Sequence, residues 1–255
     1  MKAYLYFVLG FLVIAAATIY NDLMPPTYEY YEYYIFRDHL PVGKDKKLTV
    51  FGATGNIGHA VVKNALAYGF NVTAYAKNSS KTFRKNSHLH VVYGDYVNID
   101  QMKKAIEGSV AVISCIGPEY SKTATHNVSI AHKNIIKAVE QTNVTRFITI
   151  STPAYKYKED KMNFYINLYD LYATKLYPEA YKEHIRMAKD TEESSLNWTV
   201  VRYMKPTDDP AYGRILINHG ENKTNPFVSR EDISSFILSN INENLFAHDM
   251  PIIGR

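Results

Sequence analysis

Cysteine is almost absent from this 255-residue chain, Cys115 being the only one. A lone thiol can form no internal disulfide, and without partners at ligand spacing it gives no metal motif. Cys115 lies in the apolar run Val110-Ala111-Val112-Ile113-Ser114-Cys115-Ile116, which is expected to be a buried strand, so a core residue is expected rather than a thiol nucleophile. A basic stripe is also missing. The net charge is only +4, and the lysines and arginines are dispersed among acids, which argues against nucleic acid as a partner. No internal repeat or low-complexity tract is present.

Charge is missing altogether from residues 4–20, YLYFVLGFLVIAAATIY, which follow Lys2. The segment is apolar on every side, unlike a core helix with one buried face. Residues 1–21 therefore fit a short signal anchor, or the apolar part of a signal peptide cleaved near Ala15-Ala16-Ala17. Lys2 precedes the run, acids follow it at Asp22, Glu29 and Glu32, and the first later cation is Arg37. That bias favours a cytoplasmic N-terminus and a single-pass protein with its domain in the lumen or outside. Sequons at Asn71, Asn78, Asn127, Asn143, Asn197 and Asn222 lean the same way. Secretion after cleavage, and a cytosol-facing domain on a short anchor, stay open as alternatives. Residues 22–46, with Pro25-Pro26 and tyrosines 28, 30, 31, 33 and 34, lack a usable period and are expected to be a juxtamembrane linker.

What is abundant is apolar sequence, 46% of the chain, enough to bury one full core over residues 47–255. Apolar strands alternate there with helical patterns. The expected strands are Leu48–Phe51, Asn71–Ala76, Leu89–Tyr93, Val110–Ile116, Arg146–Ser151, Asn197–Arg202 and a short one near Pro251–Ile253. The expected helices are Asn56–Tyr68, Ile99–Glu107, Thr125–Gln141, Glu179–Ser194 and Arg230–Ile241. This order predicts a Rossmann-like α/β domain with a doubly wound parallel sheet, whose ligands meet beyond the carboxyl ends of the strands.

The first strand runs into Gly52-Ala53-Thr54-Gly55-Asn56-Ile57-Gly58 and then a helix, a pattern that holds a dinucleotide. Gly52 allows the turn, Gly55 lets backbone amides approach the pyrophosphate, and Gly58 lets helix and strand pack closely. The phosphates would lie on the helix N-terminus. NAD-selective folds of this kind place an acid about 20 residues further on. Here that acid is absent, and Ala76-Lys77-Asn78-Ser79-Ser80-Lys81 offers cations and hydroxyls. Lys77 and Lys81 suit the 2′-phosphate of NADP, the alternative being a solvated turn. Asp95, after the third strand, is placed to accept from the adenine amino group or to cap the next helix. Gly117 falls at another strand end facing the same crevice.

The glycine fingerprint, Gly94-Asp95, Ser151-Thr152, Glu183-His184-Ile185-Arg186-Met187 and Leu196-Asn197-Trp198-Thr199-Val200-Val201-Arg202 together resemble the atypical short-chain dehydrogenase/reductases. Within them the likeness is to the NmrA-like group and its biliverdin/flavin reductases, over nearly all of residues 47–255. The resemblance implies NADPH-dependent hydride transfer to a flavin, tetrapyrrole or quinone-like small-molecule acceptor. It also implies that Thr54 and Asn56 sit in the phosphate loop, Lys77 near the 2′-phosphate, Thr152 beside the nicotinamide and His184 on the substrate side. Two departures stand out. A second family histidine is replaced around Lys205, and the stretch from Thr152 to His184 is about ten residues longer than the resemblance leads one to expect. Met162, Phe164, Tyr165, Leu168, Tyr169, Leu171, Tyr172 and Leu176 in that stretch recur at helical spacing, expected to form a packed amphipathic flap.

Absent as well is the Tyr-Lys pair of ordinary short-chain dehydrogenases. Tyr157-Lys158-Glu159-Asp160-Lys161 has the letters but lies five residues after Thr152, and Tyr165 is followed at the fourth position by Tyr169. A tyrosine with no neighbouring cation is a poor base at neutral pH. Alcohol–carbonyl interconversion is thereby disfavoured against reduction of a conjugated acceptor, with His184 a candidate proton donor. A non-catalytic NADP-binding sensor or scaffold with a protein partner is the alternative that the sequence leaves open.

Overall fold

The computed structural model describes residues 34–35, 43–77, 83–120, 127–161, 164–221, 224–241 and 245–255. Residues 4–20, Lys81 and the side chain of Tyr165 lie outside them. The strands are β1 (Tyr34–Ile35), β2 (Lys47–Phe51), β3 (Asn71–Ala76), β4 (Leu89–Tyr93), β5 (Ser109–Ser114), β6 (Arg146–Ser151), β7 (Asn197–Arg202), β8 (Lys205–Thr207), β9 (Arg214–Asn218), β10 (Phe227–Ser229) and β11 (Ile252–Gly254). The helices are α1 (Asn56–Ala67), α2 (Ile99–Ile106), α3 (Val128–Glu140), α4 (Phe164–Leu176), α5 (Pro178–Glu192) and α6 (Arg230–Ser239).

Nine strands form one sheet in the order β1-β9-β11-β7-β6-β5-β2-β3-β4, while β8 and β10 pair separately. From β4 to β11 every pairing is parallel. This is the Rossmann-like α/β arrangement expected from the alternation of elements. Successive residues of β2 face opposite layers: Leu48 and Val50 join the core under α1 and α6, Phe51 the core under α2, α3 and α5. Both faces being covered, β2 is apolar at nearly every position instead of alternating. Its one buried polar member, Thr49, is hydrogen-bonded to the Ala105 carbonyl and the Ser109 hydroxyl at 2.8 Å each, which removes the desolvation cost of its hydroxyl.

Strand order reverses between β2 and β5. The loops after these two strands diverge there and open a crevice, the usual ligand position in such sheets. On one side α1 packs against α6, pinned by Lys63 and Asn64 to Glu231 at 2.7 and 3.0 Å.

β1, β8, β9 and β10 are additions to the expected list. β9 reverses direction and pairs antiparallel with β11, and β1, inside the stretch expected to be a linker, pairs with the outer edge of β9. Among the described residues, no helix is long and apolar enough to cross a membrane.

Candidate functional site

The turn after β2 has the geometry that its glycines predict. Gly52 adopts φ +70°, a conformation that side chains disfavour. A methyl at Gly58 would lie 2.9 Å from the Gly52 carbonyl carbon and closer still to its oxygen. Gly58 is therefore the contact that lets α1 lie against the turn. Gly55 caps α1 with extended backbone and no side-chain hydrogen bond, and the first turn of the helix carries no acid. The helix thus begins with its amides unopposed by a carboxylate and its positive dipole end at the crevice, a fit to a diphosphate. Thr54 occupies the turn, Asn56 opens the helix and Ile57 is buried behind it.

Lys77 follows β3, exposed, with its ammonium 5.5 Å from the centre of the Tyr96 ring. Tyr96, buried, takes a hydrogen bond from the Gly52 backbone, and burial pushes its hydroxyl up to about 12. It thus stands between the glycine turn and Lys77, a role that no spacing in the sequence signalled. Asp95 is exposed, and its carbonyl accepts from the Tyr75 hydroxyl at 3.0 Å. The capping alternative for Asp95 does not hold, because Asn98 caps α2 by accepting from the Gln101 amide at 3.0 Å.

A cavity of about 640 Å³ is lined by Asn56, Ile57 and Gly117 at the crevice together with Thr152, His184 and Arg230. That volume is in the range of small-molecule sites. A methyl at Gly117 would meet nothing within 4 Å, so the loop after β5 leaves open space. Cys115 also borders the cavity, and burial pushes its thiol up to about 12. It is therefore a protonated wall residue and no nucleophile.

Thr152 follows the last residue of β6 and hydrogen-bonds the Tyr169 hydroxyl, which burial nevertheless raises to about 12. Tyr169 is a residue that the sequence reading placed in a flap. The flap forms as α4, but Leu168, Tyr169, Tyr172 and Ala173 line the cavity, so this helix is a wall of the site as well as packing. Their spacing of one, four and five residues puts them on one face, a signal present in the sequence but not separable there from core packing.

His184 is carried by α5, whose preceding residue Glu183 sets its position. The Glu183 carboxylate is buried, accepts from the Ser129 amide at 2.7 Å and its hydroxyl at 3.1 Å, and receives Arg186 at 2.7 Å. It thereby caps the N-terminus of α3 from another helix, where Asn127 makes no side-chain cap. His184 Nε2 lies 2.8 Å from the Tyr120 hydroxyl and Nδ1 3.4 Å from Ser151 Oγ. Burial lowers its pKa to about 4, so the ring is neutral at physiological pH. The expected proton donor is thus no imidazolium; it is one link in a chain of neutral hydroxyls and an imidazole.

Tyr157 is elsewhere. It is buried, donates to the His248 carbonyl at 2.8 Å and packs edge-on to Trp198. It does not line the cavity. Among the described residues no group of three or more His, Cys, Asp or Glu could hold a metal.

With this geometry in place, comparison with known proteins is specific. A family model described as NAD(P)H-binding matches residues 52–244. A curated relative from Arabidopsis thaliana, divinyl chlorophyllide a 8-vinyl-reductase, is 25% identical over 86% of this chain. The chain spans only 55% of that relative's length. A short-chain dehydrogenase/reductase from Veillonella parvula, solved with NADP, superposes with a TM-score of 0.69 at 18% identity, over 82% of this chain and 94% of that one. ChuY from Escherichia coli O157:H7, described as an anaerobilin reductase, superposes at 0.66 with 17% identity, over 82% and 97%. These likenesses agree with the Rossmann-like fold and with the reductase resemblance seen in the motifs.

They also correct the expected localisation. The vinyl-reductase and a second Arabidopsis relative are both named as chloroplastic, which is not the lumenal, single-pass arrangement inferred from charge bias and sequons. Two of those sequons, Asn71 and Asn197, open β3 and β7 of the sheet and are half-buried.

Proposed function

The chain belongs to the NAD(P)H-binding family and takes a nicotinamide dinucleotide, and from that premise we propose that it is an NADPH-dependent reductase of a flat conjugated acceptor. The single observation that carries this reading is the cavity: it joins Asn56 and Ile57 of the glycine turn to Thr152, Tyr169 and His184, its walls are rich in aromatic rings, and neither Tyr157 nor Lys161, which have the tyrosine–lysine spacing of ordinary short-chain dehydrogenases, lines it. Bound NADPH would supply the hydride. The chain's own residues do the rest. Gly52, Gly55, Gly58 and the α1 amides hold the diphosphate, and Lys77 lies where the 2′-phosphate is expected. Lys81 belongs to the same proposal. Thr152 and Tyr169 present hydroxyls that stay protonated across physiological pH and can hydrogen-bond the acceptor. His184, neutral, holds Tyr120 at the cavity. With no activated base, the protein contributes chiefly orientation and exclusion of water.

The named activities of the vinyl-reductase and of ChuY both concern tetrapyrrole-type compounds, and they support a tetrapyrrole over a small carbonyl compound as acceptor. The test is NADPH oxidation by the purified protein, followed at 340 nm, with biliverdin, FMN and menadione. Turnover with biliverdin is expected. No turnover with any acceptor, together with tight NADPH binding, would refute the reductase reading and leave a sensor.

A further inference from the structure

We propose that the end of the cavity formed by β8 and β10 is an oxyanion subsite that takes a carboxylate of the acceptor. This deepens the reading above and rests on it, naming the acceptor as a conjugated acid instead of a neutral quinone or ester. β8 and β10 lie parallel, Lys205 opposite Phe227 and Thr207 opposite Ser229. Lys205 and Arg230, the residue after Ser229, both border the cavity. No aspartate or glutamate does, among the described residues. The site is thus lined by cations of which neither was singled out as a ligand by the glycine motif.

Arg230 is held rigidly. Ser229 Oγ accepts from the Asp232 amide at 2.9 Å and donates to the Asp232 carboxylate at 2.8 Å, and that carboxylate also takes the amides of Tyr212 and Gly213 at 3.0 Å each. The start of α6 is therefore fixed from both sides, with Arg230 as its first residue. Its guanidinium bonds Asp208 through Nη1 at 2.5 Å, and Asp208 is itself exposed. The other edge, Nε with Nη2, is the fork that grips a carboxylate with two parallel hydrogen bonds. Nε is buried without any partner, and Nη2 makes no hydrogen bond among the described residues. A buried charged donor left unpaired is costly, and a ligand oxyanion would remove that cost after a small adjustment of the side chain.

Lys205 lies across the face of Phe227, its ammonium 4.8 Å from the ring centre. It has no carboxylate partner among the described residues. Tyr203 and Phe227 border the same end of the cavity, so a flat apolar body would lie against rings while its acid group reaches the two cations. A dinucleotide's diphosphate would be served by the α1 amides, which leaves these cations for the acceptor.

The experiment compares biliverdin with biliverdin dimethyl ester, binding being read from the visible absorbance of the tetrapyrrole on the full chain saturated with NADP. Since oxidised cofactor is used, no turnover is required, and an absence of reductase activity would be seen separately in the NADPH assay. The acid is expected to bind on the order of tenfold to a hundredfold more tightly than the ester, the range of a charge-assisted pair. Arg230→Met and Lys205→Met should each reduce that ratio severalfold by weakening the acid alone. Should Arg230→Met fail to fold, judged by circular dichroism, the exposed substitution Lys205→Met still decides. Asp208→Asn, which leaves the guanidinium intact, should preserve or raise the preference. Equal binding of acid and ester, a preference that survives both substitutions, or binding of neither form would overturn the proposal. So would a loss of NADP affinity in Arg230→Met with the acid–ester ratio unchanged.

Discussion

Gly58→Ala should damage folding and cofactor binding together, whereas Gly55→Ala should damage only the second. At Gly58 the added methyl would lie 2.9 Å from the Gly52 carbonyl carbon and 3.0 Å from the Ala53 Cα, with the Gly52 oxygen nearer still. All three are backbone atoms, so no rotamer change relieves the contact and α1 must move away from β2. Overpacking of this kind costs about 3 kcal/mol, at the upper end of its usual range because backbone must shift. Alanine returns about 1 kcal/mol of helix propensity. The net loss is about 2 kcal/mol, or a fall in Tm of roughly 4–8 °C for a domain of this size. At Gly55 the backbone is extended at φ −67° and the nearest atom to a new methyl is 3.2 Å away, so the stability cost should be below about 1 kcal/mol. The methyl nevertheless occupies the approach to the amides, and NADPH affinity should fall by about tenfold or more. Thermal melts with and without NADPH, alongside a fluorescence titration of NADPH, measure both quantities. A Gly58→Ala protein that melts within about 1 °C of the unmodified one and keeps its NADPH affinity would refute the packing argument.

Lys77→Asp should erase a preference for NADPH over NADH worth on the order of 1.5–3 kcal/mol; equal affinities in the unmodified protein would remove Lys77 from the 2′-phosphate site. Tyr157→Phe should leave acceptor reduction within about tenfold and lower stability by about 1 kcal/mol through loss of the bond to the His248 carbonyl; a thousandfold fall in rate with folding intact would restore a tyrosine acid. Tyr169→Phe should lower kcat/KM with biliverdin by about tenfold, as for one lost hydrogen bond, and an unchanged value would take the Thr152–Tyr169 pair out of the site. His184 and His132 have pKa values lowered by burial to about 4 and about 3. The unfolded chain therefore binds more protons between about pH 6.5 and 4, and stability present above pH 6.5 should fall through that window on acidification. His132→Leu should flatten the fall in denaturant titrations at pH 7 and 5. His219 runs the other way: its hydrogen bond to Asp249 at 2.7 Å raises its pKa, so its contribution is full below pH 6.5 and is lost as pH rises through the folded value, and His219→Gln should destabilise more at pH 6 than at pH 8.

The elements that sequence determined are those whose pattern is local. β3, β6 and β7 have the bounds that apolar runs predict, because strands buried on both faces are continuous in sequence, and the edge strand β4 is legible from its β-branched and aromatic run alone. The glycine turn was legible for a similar reason, since a positive φ at Gly52 and a close helix approach at Gly58 admit little but glycine. What was not legible depends on residues far apart. β8, three residues including Pro206, and β10 have no period to detect and exist because each pairs with the other across the chain. Arg202, legible as a family-like position, is fully buried and bonds Asp160 at 2.5 and 2.7 Å, fixing the loop that carries Tyr157 away from the cavity; its partner could not be named from sequence. Tyr169 shares a helical face with core residues, and only the packing of α4 over Thr152 turns it into a wall of the site. The sequence by itself determined that this is a dinucleotide-binding domain, and it marked the turn where we propose the diphosphate lies, since that pattern is written in one continuous strand–turn–helix. The tertiary structure alone decided what faces that turn, because the rest of the cavity is assembled from the loop after β5, β6, α4, α5, β8, β10 and α6, whose side chains meet only when the sheet is closed on both faces.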